Sequence, residues 1–162
     1  MQVFIANIDS ISKNPDIYSA LLSSKDKTRL SEFQNQTRKM QFILGHLMAD
    51  KCGAKYTCIA HKDKWVVVAA SAELPVGIDI ENMTVERDFV AAAELMNFAA
   101  PKSVDDFYKS FTESEATYKL GTAPKCTRFM RYGDYLICIT STQDFNTPDL
   151  QKYDMESILF AE

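Results

Sequence analysis

An α+β fold of two similar lobes, each with helices packed on a small, mainly antiparallel sheet, is what this 162-residue chain predicts, with lobes over residues 1–73 and 74–162. Three observations lead there. Strand, helix and hairpin patterns follow one another before about residue 73 and again after it, which favours segregated small sheets over a doubly wound parallel one. Each half carries a hairpin signal with a polar turn, at His61-Lys62-Asp63 and near Gly133-Asp134. No low-complexity linker separates the halves, although one sequence shows no residue-level repeat between them.

Residues 2–8, QVFIANI, have the pattern of a strand. Ser24 to Phe33 forms a polar helix bearing Lys25, Lys27 and Arg29. A second helix is expected from Thr37 to Lys51: Met40, Ile43, Leu44, Leu47 and Met48 recur at helical spacing, Arg38, Lys39 and Gln41 lie nearer the opposite side, and Gly53 is the stop. KYTCIA at 55–60 and KWVVVAAS at 64–71 are predicted hairpin strands with His61 at the tip. VGIDIE, entered through Pro75, is the next strand. Helix signals return over Val85–Phe98, and more strongly after Pro101, with Ser103 as N-cap, Asp105 and Asp106 in the first turn and Gly121 at the end. CTRFMRY and YLICITS form the second hairpin, and SILF at 157–160 is a final strand.

Composition narrows the class. A 46% hydrophobic content supports a real core, and no apolar run approaches the roughly 20 residues that span a bilayer. MQVFIANIDS places no basic segment before its short apolar stretch, so a cytoplasmic protein is expected, with neither nucleic acid nor a membrane as partner. Cys52, Cys58, Cys126 and Cys138 form no C-x-x-C pair, and Cys58-x-x-His61 is half a zinc site without a second half; reduced, buried thiols are expected. The net charge of −4 divides into +4 before residue 65 and −8 after it. That asymmetry suits a cation-demanding site beside a surface that attracts anions, or simply two differently charged solvated surfaces.

The chemistry gathers on VGIDIENM at 76–83 and FYKSFTESEATYKLG at 107–121. Alternation in a strand sends Asp79 and Glu81 to one face and Val76, Ile78 and Ile80 to the other, with Gly77 leaving room beside the acids. On the helix, Phe107, Phe111, Ser114 and Tyr118 form the stripe expected to face the core, and Glu115 and Lys119 lie along its edge. An i,i+4 Glu-Lys pair alone is an ordinary surface salt bridge. Three converging carboxylates, Asp79, Glu81 and Glu115, would instead require a hard cation such as Mg²⁺, with Lys119 one turn away for a phosphate. Neither a P-loop nor a G-x-G-x-x-G motif is present, which disfavours those nucleotide sites.

GIDIE at 77–81, followed some thirty residues later by FTESEATYK at 111–119, resembles the G-[IV]-D-[IV]-E and W-x-x-K-E-[AS]-x-x-K motifs of the 4′-phosphopantetheinyl transferases, in their two-lobed, Sfp-like branch. Weaker likeness extends through SSKDKTRLSEF, FILG and Ala60-His61, so about residues 20–122 are covered. The resemblance implies the pseudo-dimeric fold of that family and transfer of the phosphopantetheine arm of coenzyme A to a serine of an acyl or peptidyl carrier protein. It implies Mg²⁺ on Asp79, Glu81 and Glu115, with Glu115 or a water it orients as base and Lys119 on the pyrophosphate and the departing phosphate. His61 would contact the nucleotide 3′-phosphate, and a chain that builds the site between its own lobes is expected to be a monomer. Lys25, Lys27, Arg29 and Arg38 fit a face for the nucleotide phosphates or for an acidic carrier helix.

The chain departs from the pattern in three places. Phe111 replaces the tryptophan, Ser114 the lysine before the glutamate, and Gln41 the arginine before the apolar run of the second helix, for which Arg38 or His46 is a substitute. The connection from that helix to His61 is also short and lacks a Gly-Lys-Pro element. These losses make a catalytically impaired relative that binds carrier protein or coenzyme A the main alternative. A metal-dependent phosphohydrolase using the same carboxylates is a third reading, weakened by the lack of a second metal site.

Overall fold

In the computed structural model, which describes residues 1–153 and 155, strand β1 (Gln2–Asn7) alternates its side chains between two cores. Val3 and Ile5 enter one apolar cluster while Phe4 and Ala6 enter another, as the two-residue period of a strand dictates. Helices α1 (Pro15–Ala20), α2 (Ser24–Ser31) and α3 (Gln36–Cys52) follow. The six residues of α1 are too few to show helical periodicity, and the sequence pattern does not announce it. Ser23 caps α2 by accepting from the Asp26 amide, Asn35 caps α3 by accepting from the Arg38 amide, and Gly53 ends α3 in the left-handed region at φ 57°.

Strands β2 (Tyr56–Lys62), β3 (Trp65–Ser71) and β4 (Val76–Asn82) come next. The β2–β3 turn falls at Asp63-Lys64 rather than at 61–63, with Asp63 in the left-handed region at φ 52°, so His61 stands inside β2 opposite Val66 rather than at the tip. Helix α4 (Phe89–Leu95) is shorter than the expected 85–98: Asp88 starts it by accepting from the Val90 and Ala91 amides, and Asn97 at φ 57° closes it. Helix α5 (Val104–Leu120) has the predicted Ser103 cap and Gly121 stop. The second hairpin, β5 (Cys126–Tyr132) and β6 (Tyr135–Ser141), is as expected, and a short β7 (Leu150–Lys152) follows. The final strand predicted at 157–160 lies outside the described residues.

The strands form two sheets, in the orders β2-β3-β1-β7 and β4-β6-β5. In each, the opening strand of the half pairs antiparallel with the second strand of its hairpin, β1 with β3 and β4 with β6. The helices before the hairpins, α3 and α5, are both 17 residues long, and all four hairpin strands are 7. The fold is thus α+β with two small, mainly antiparallel sheets, built twice on one plan. One exception crosses between them: β7 pairs parallel with β1, and Met155 enters the core of the first half. The segment expected in the 74–162 lobe therefore returns its last described strand to the first sheet.

Between the sheets, Val3, Ile5, Val67 and Ala69 meet Val76, Ile78, Ile80, Ile137 and Ile139. Burying an aliphatic side chain contributes about 1.5–3 kcal/mol, so this shared layer welds the halves. Outside it, Ile43, Leu44, Leu47 and Met48 of α3 cover the first sheet, and Phe107 and Tyr108 of α5 pack with Ala93 of α4 and Leu136 of β6 over the second.

The buried face of α5 differs from the predicted stripe. Phe107, Tyr108, Thr112 and Ala116 are buried, Phe111 is half-buried, Ser114 is exposed, and Tyr118 is 82% exposed. The stripe was drawn through aromatic residues, whereas close approach to a sheet needs small ones. A Cβ built on Gly77 would stand 2.0 Å from the Ala116 carbonyl oxygen and 2.7 Å from Thr140 Oγ1. The room expected beside the acids is therefore filled by the backbone of α5, and Gly77 is what lets the helix reach β4.

Candidate functional site

β2 is the edge strand of the first sheet and β4 of the second, and the two strands lie against each other, bringing residues of both halves together. Asp79 is buried in β4 on the face toward α5. Its Oδ1 accepts from Lys119 Nζ at 2.7 Å, and the same ammonium donates to the Ile78 carbonyl at 3.1 Å. Asp79 Oδ2 is buried and has no hydrogen-bond partner among the described residues. Burial pushes the Asp79 carboxyl up to about 6; the charge and hydrogen bond of Lys119 oppose that, while Glu81 and Glu115 reinforce it. The charges of Glu81 and Glu115 thus both reach Asp79.

They do not assemble into the expected metal triad. Among the described residues no group of three or more His, Cys, Asp and Glu side chains is gathered to hold an ion. Lys119 takes Asp79, Lys62 Nζ stands 2.7 Å from Glu81 Oε2, and Glu115 is exposed on α5. Buried Asp79 and half-buried Glu81 each take an ammonium, which offsets their mutual repulsion. The donor set nevertheless fits a hard divalent cation: Asp79 Oδ2 is buried with no hydrogen-bond partner among the described residues, and Glu81 Oε2 is held only in an ion pair with Lys62 that lacks hydrogen-bond geometry. Asp79 and Glu81 would hold such an ion, with Glu115 on α5 near enough for its charge to act on Asp79.

Across the junction, Arg29, Arg38, His46 and His61 line a cavity of about 170 Å³ with Phe33 and Phe42. The Arg38 guanidinium lies against the His61 ring and over Phe33, and Arg29 lies over Phe42. His46 stacks on Phe42 with ring centroids 4.0 Å apart and places Nδ1 3.2 Å from Asp26. Burial foremost, and then the charges of Arg38, Lys119 and Lys62, push the His61 imidazole down to about 4. The ring is neutral at physiological pH, a hydrogen-bonding group set among cations.

The predicted basic face divides. Arg29 and Arg38 join His61, whereas Lys27 donates to the Ala20 carbonyl at 2.8 Å and lines a separate cavity of about 400 Å³ among α1, α2 and α3; Lys25 is exposed and lines neither. A solvated helix surface describes Lys25. Gln41, expected on the outer side of α3, is 5% exposed and bonded to the β2–β3 turn. The four cysteines are free, and burial raises the Cys58 and Cys138 thiols.

Lys62 is the site residue that sequence reasoning missed. The sequence pattern puts it in the turn, whereas β2 runs two residues past Ala60, through His61 to Lys62, at the edge toward β4. No helix among the described residues is long and apolar enough to cross a membrane. The chain matches no protein-family model and no curated protein sequence. What the geometry offers chemically is a buried Asp79 with one unmet oxygen, a half-buried Glu81, the ammonium groups of Lys62 and Lys119 on those acids, and a neutral His61 against Arg38.

Proposed function

We propose that the protein transfers the 4′-phosphopantetheine arm of coenzyme A to a serine of an acyl or peptidyl carrier protein, releasing adenosine 3′,5′-bisphosphate, in a Mg²⁺-dependent reaction. One observation carries the reading: buried Asp79, with one oxygen on Lys119 and the other unpartnered, stands beside Glu81 and in electrostatic range of Glu115. Those are the residues of the GIDIE and FTESEATYK stretches, brought face to face by β4 and α5. Two halves of the same element order support the further reading of the fold as a pseudo-dimeric phosphopantetheinyl transferase, acting as a cytoplasmic monomer.

In this reaction the serine Oγ forms a bond to the pantetheine-bearing phosphorus, and the bond from that phosphorus to the bridging oxygen breaks. The hydroxyl proton goes to Glu115, exposed at the rim where a carrier serine can reach it. Lys119, anchored by the Ile78 carbonyl, turns its ammonium to the pyrophosphate and stabilises the charge on the leaving bisphosphate. Arg38 and neutral His61 bind the nucleotide phosphate. Asp79, Glu81 and Glu115 would hold Mg²⁺, whose charge would neutralise the pyrophosphate oxygens.

The test is to mix the protein with coenzyme A, Mg²⁺ and an apo carrier protein and weigh the carrier by mass spectrometry. A gain equal to one phosphopantetheine arm is expected; no gain across several carriers overturns the proposal. The second reading is a module that binds carrier or coenzyme A without transfer. It is favoured by the ammonium groups already on Asp79 and Glu81 and by the exposed Ser114, which brings no charge to α5. It predicts binding with no change in carrier mass.

A further inference from the structure

Lys62 is the last residue of β2, and its Nζ contacts Glu81 Oε2 at 2.7 Å while its side chain keeps 26% of its surface exposed. From the other side, Lys119 contacts Asp79 Oδ1 at 2.7 Å with 28% exposure. Arg38 reaches the same place from α3, against the ring of His61, the residue before Lys62. Cations from three separate elements therefore surround one histidine, and two of them, Lys62 and Lys119, also hold the acids. The pairs they form with the acids are of different kinds: the Lys119 contact is a hydrogen bond backed by a second to the Ile78 carbonyl, and the Lys62 contact has no hydrogen-bond geometry.

A partly exposed ammonium on a flexible stem, in an ion pair without hydrogen-bond geometry, can leave its carboxylate whenever a better anion arrives. A divalent cation on Asp79 and Glu81 would create that situation by removing the acids as partners. The charges then balance only with an anion: three carboxylates against one divalent and three monovalent cations leave a surplus of two positive charges, which the two negative charges of a pyrophosphate diester match.

We propose that Lys62 is a phosphate-binding residue, the third cation, with Arg38 and Lys119, of a seat for a magnesium-bound pyrophosphate. This rests on the reading above for the identity of the metal and the anion. Lys62 holds Glu81 in place until the metal binds, then moves its ammonium from the carboxylate to a phosphate oxygen. Its influence on His61, alongside those of Arg38 and Lys119, agrees with this placement, since all three charges act on the same imidazole.

Isothermal titration calorimetry with Mg²⁺ and inorganic pyrophosphate, on the parent chain and on Lys62→Met and Lys62→Arg, tests the assignment. The parent should bind. Lys62→Met should bind about tenfold more weakly or worse, the scale of one lost charge-assisted hydrogen bond, and Lys62→Arg should recover most of the loss. Equal binding by the parent and Lys62→Met overturns the role of Lys62, and no binding by the parent overturns the seat. A melting temperature for Lys62→Met close to the parent's separates lost contact from lost structure. The carrier-mass assay is independent: a seat that behaves as predicted in a protein that modifies no carrier removes the transfer reading and leaves Lys62 assigned.

Discussion

Gln41 Nε2 donates to the backbone carbonyl of Asp63 at 2.8 Å, tying helix α3 to the β2–β3 turn. The same side chain accepts from Arg38 at 3.2 Å through Oε1, and the Asp63 carboxylate accepts from Asn82 Nδ2 and the Tyr135 hydroxyl, each at 2.9 Å. One glutamine thus joins a cation of the cavity to a turn that is latched onto the second half. A residue that counts as a lost cation in the sequence is a strut in the structure.

Gln41→Leu keeps the volume and removes both bonds. It should destabilise the protein by about 1–2 kcal/mol, the cost of leaving a partly buried polar group unmatched. Urea unfolding measures this, and an unchanged midpoint would show that the turn holds without α3.

Gly77→Ala tests the contact between α5 and β4. The added methyl would overlap the Ala116 carbonyl, which is backbone and cannot rotate away. Overpacking at such a place should cost about 3 kcal/mol, and separating α5 from β4 should break the Asp79–Lys119 bond with it. A thermal melt within a degree or two of the parent would contradict the close approach.

How legible this was depended on which signals are local. Ser103, Gly53 and Gly121 act within a turn of their own helices, so the long helices could be read from sequence with nearly their observed ends. The strand alternation of VGIDIE likewise pairs Asp79 and Glu81 on one face. The packing face of α5 was not legible, because it depends on Ala116 meeting a glycine some forty residues away, and aromatic periodicity points elsewhere. Lys62 was hidden because its strand runs two residues past the predicted end at Ala60, and Gln41 by a hydrogen bond to a turn that no helical wheel contains. The parallel pairing of β7 with β1 joins distant parts of the chain, which local patterns do not encode.

Two groups in the site push stability in opposite directions as pH changes in metal-free buffer. Asp79 is raised from 3.8 to about 6, so its contribution is fully present below 3.8 and is lost as pH rises through about 6. His61 is lowered from 6.5 to about 4, so its contribution is present above 6.5 and is lost as pH falls toward about 4. Over the shared window the two offset each other in the parent. Asp79→Asn should therefore gain stability relative to the parent as pH rises from about 4 to about 6, and His61→Gln should lose it over the same range. Urea midpoints across that window check both signs; parallel profiles for all three proteins would refute the assignment.

Glu115→Gln separates chemistry from structure at the proposed site. Glu115 is exposed on α5, so replacing its carboxylate with an amide should leave the melting temperature within a degree or two of the parent's, as for surface changes generally. Carrier binding should also persist, because the substitution removes one charge and no apolar surface. Transfer, by contrast, should fall by about 10²- to 10⁴-fold, the range for loss of a general base. Rates come from carrier mass over time, and binding comes from calorimetry with apo carrier. A parent-like rate would remove Glu115 from the proton path, whereas weakened carrier binding at an unchanged turnover rate would make it a docking residue instead. The Asp79 carboxyl reports on the same change independently: Glu115 is one of the charges raising it, so its titration, followed by carbon NMR, should move downward in Glu115→Gln even in a protein that transfers nothing.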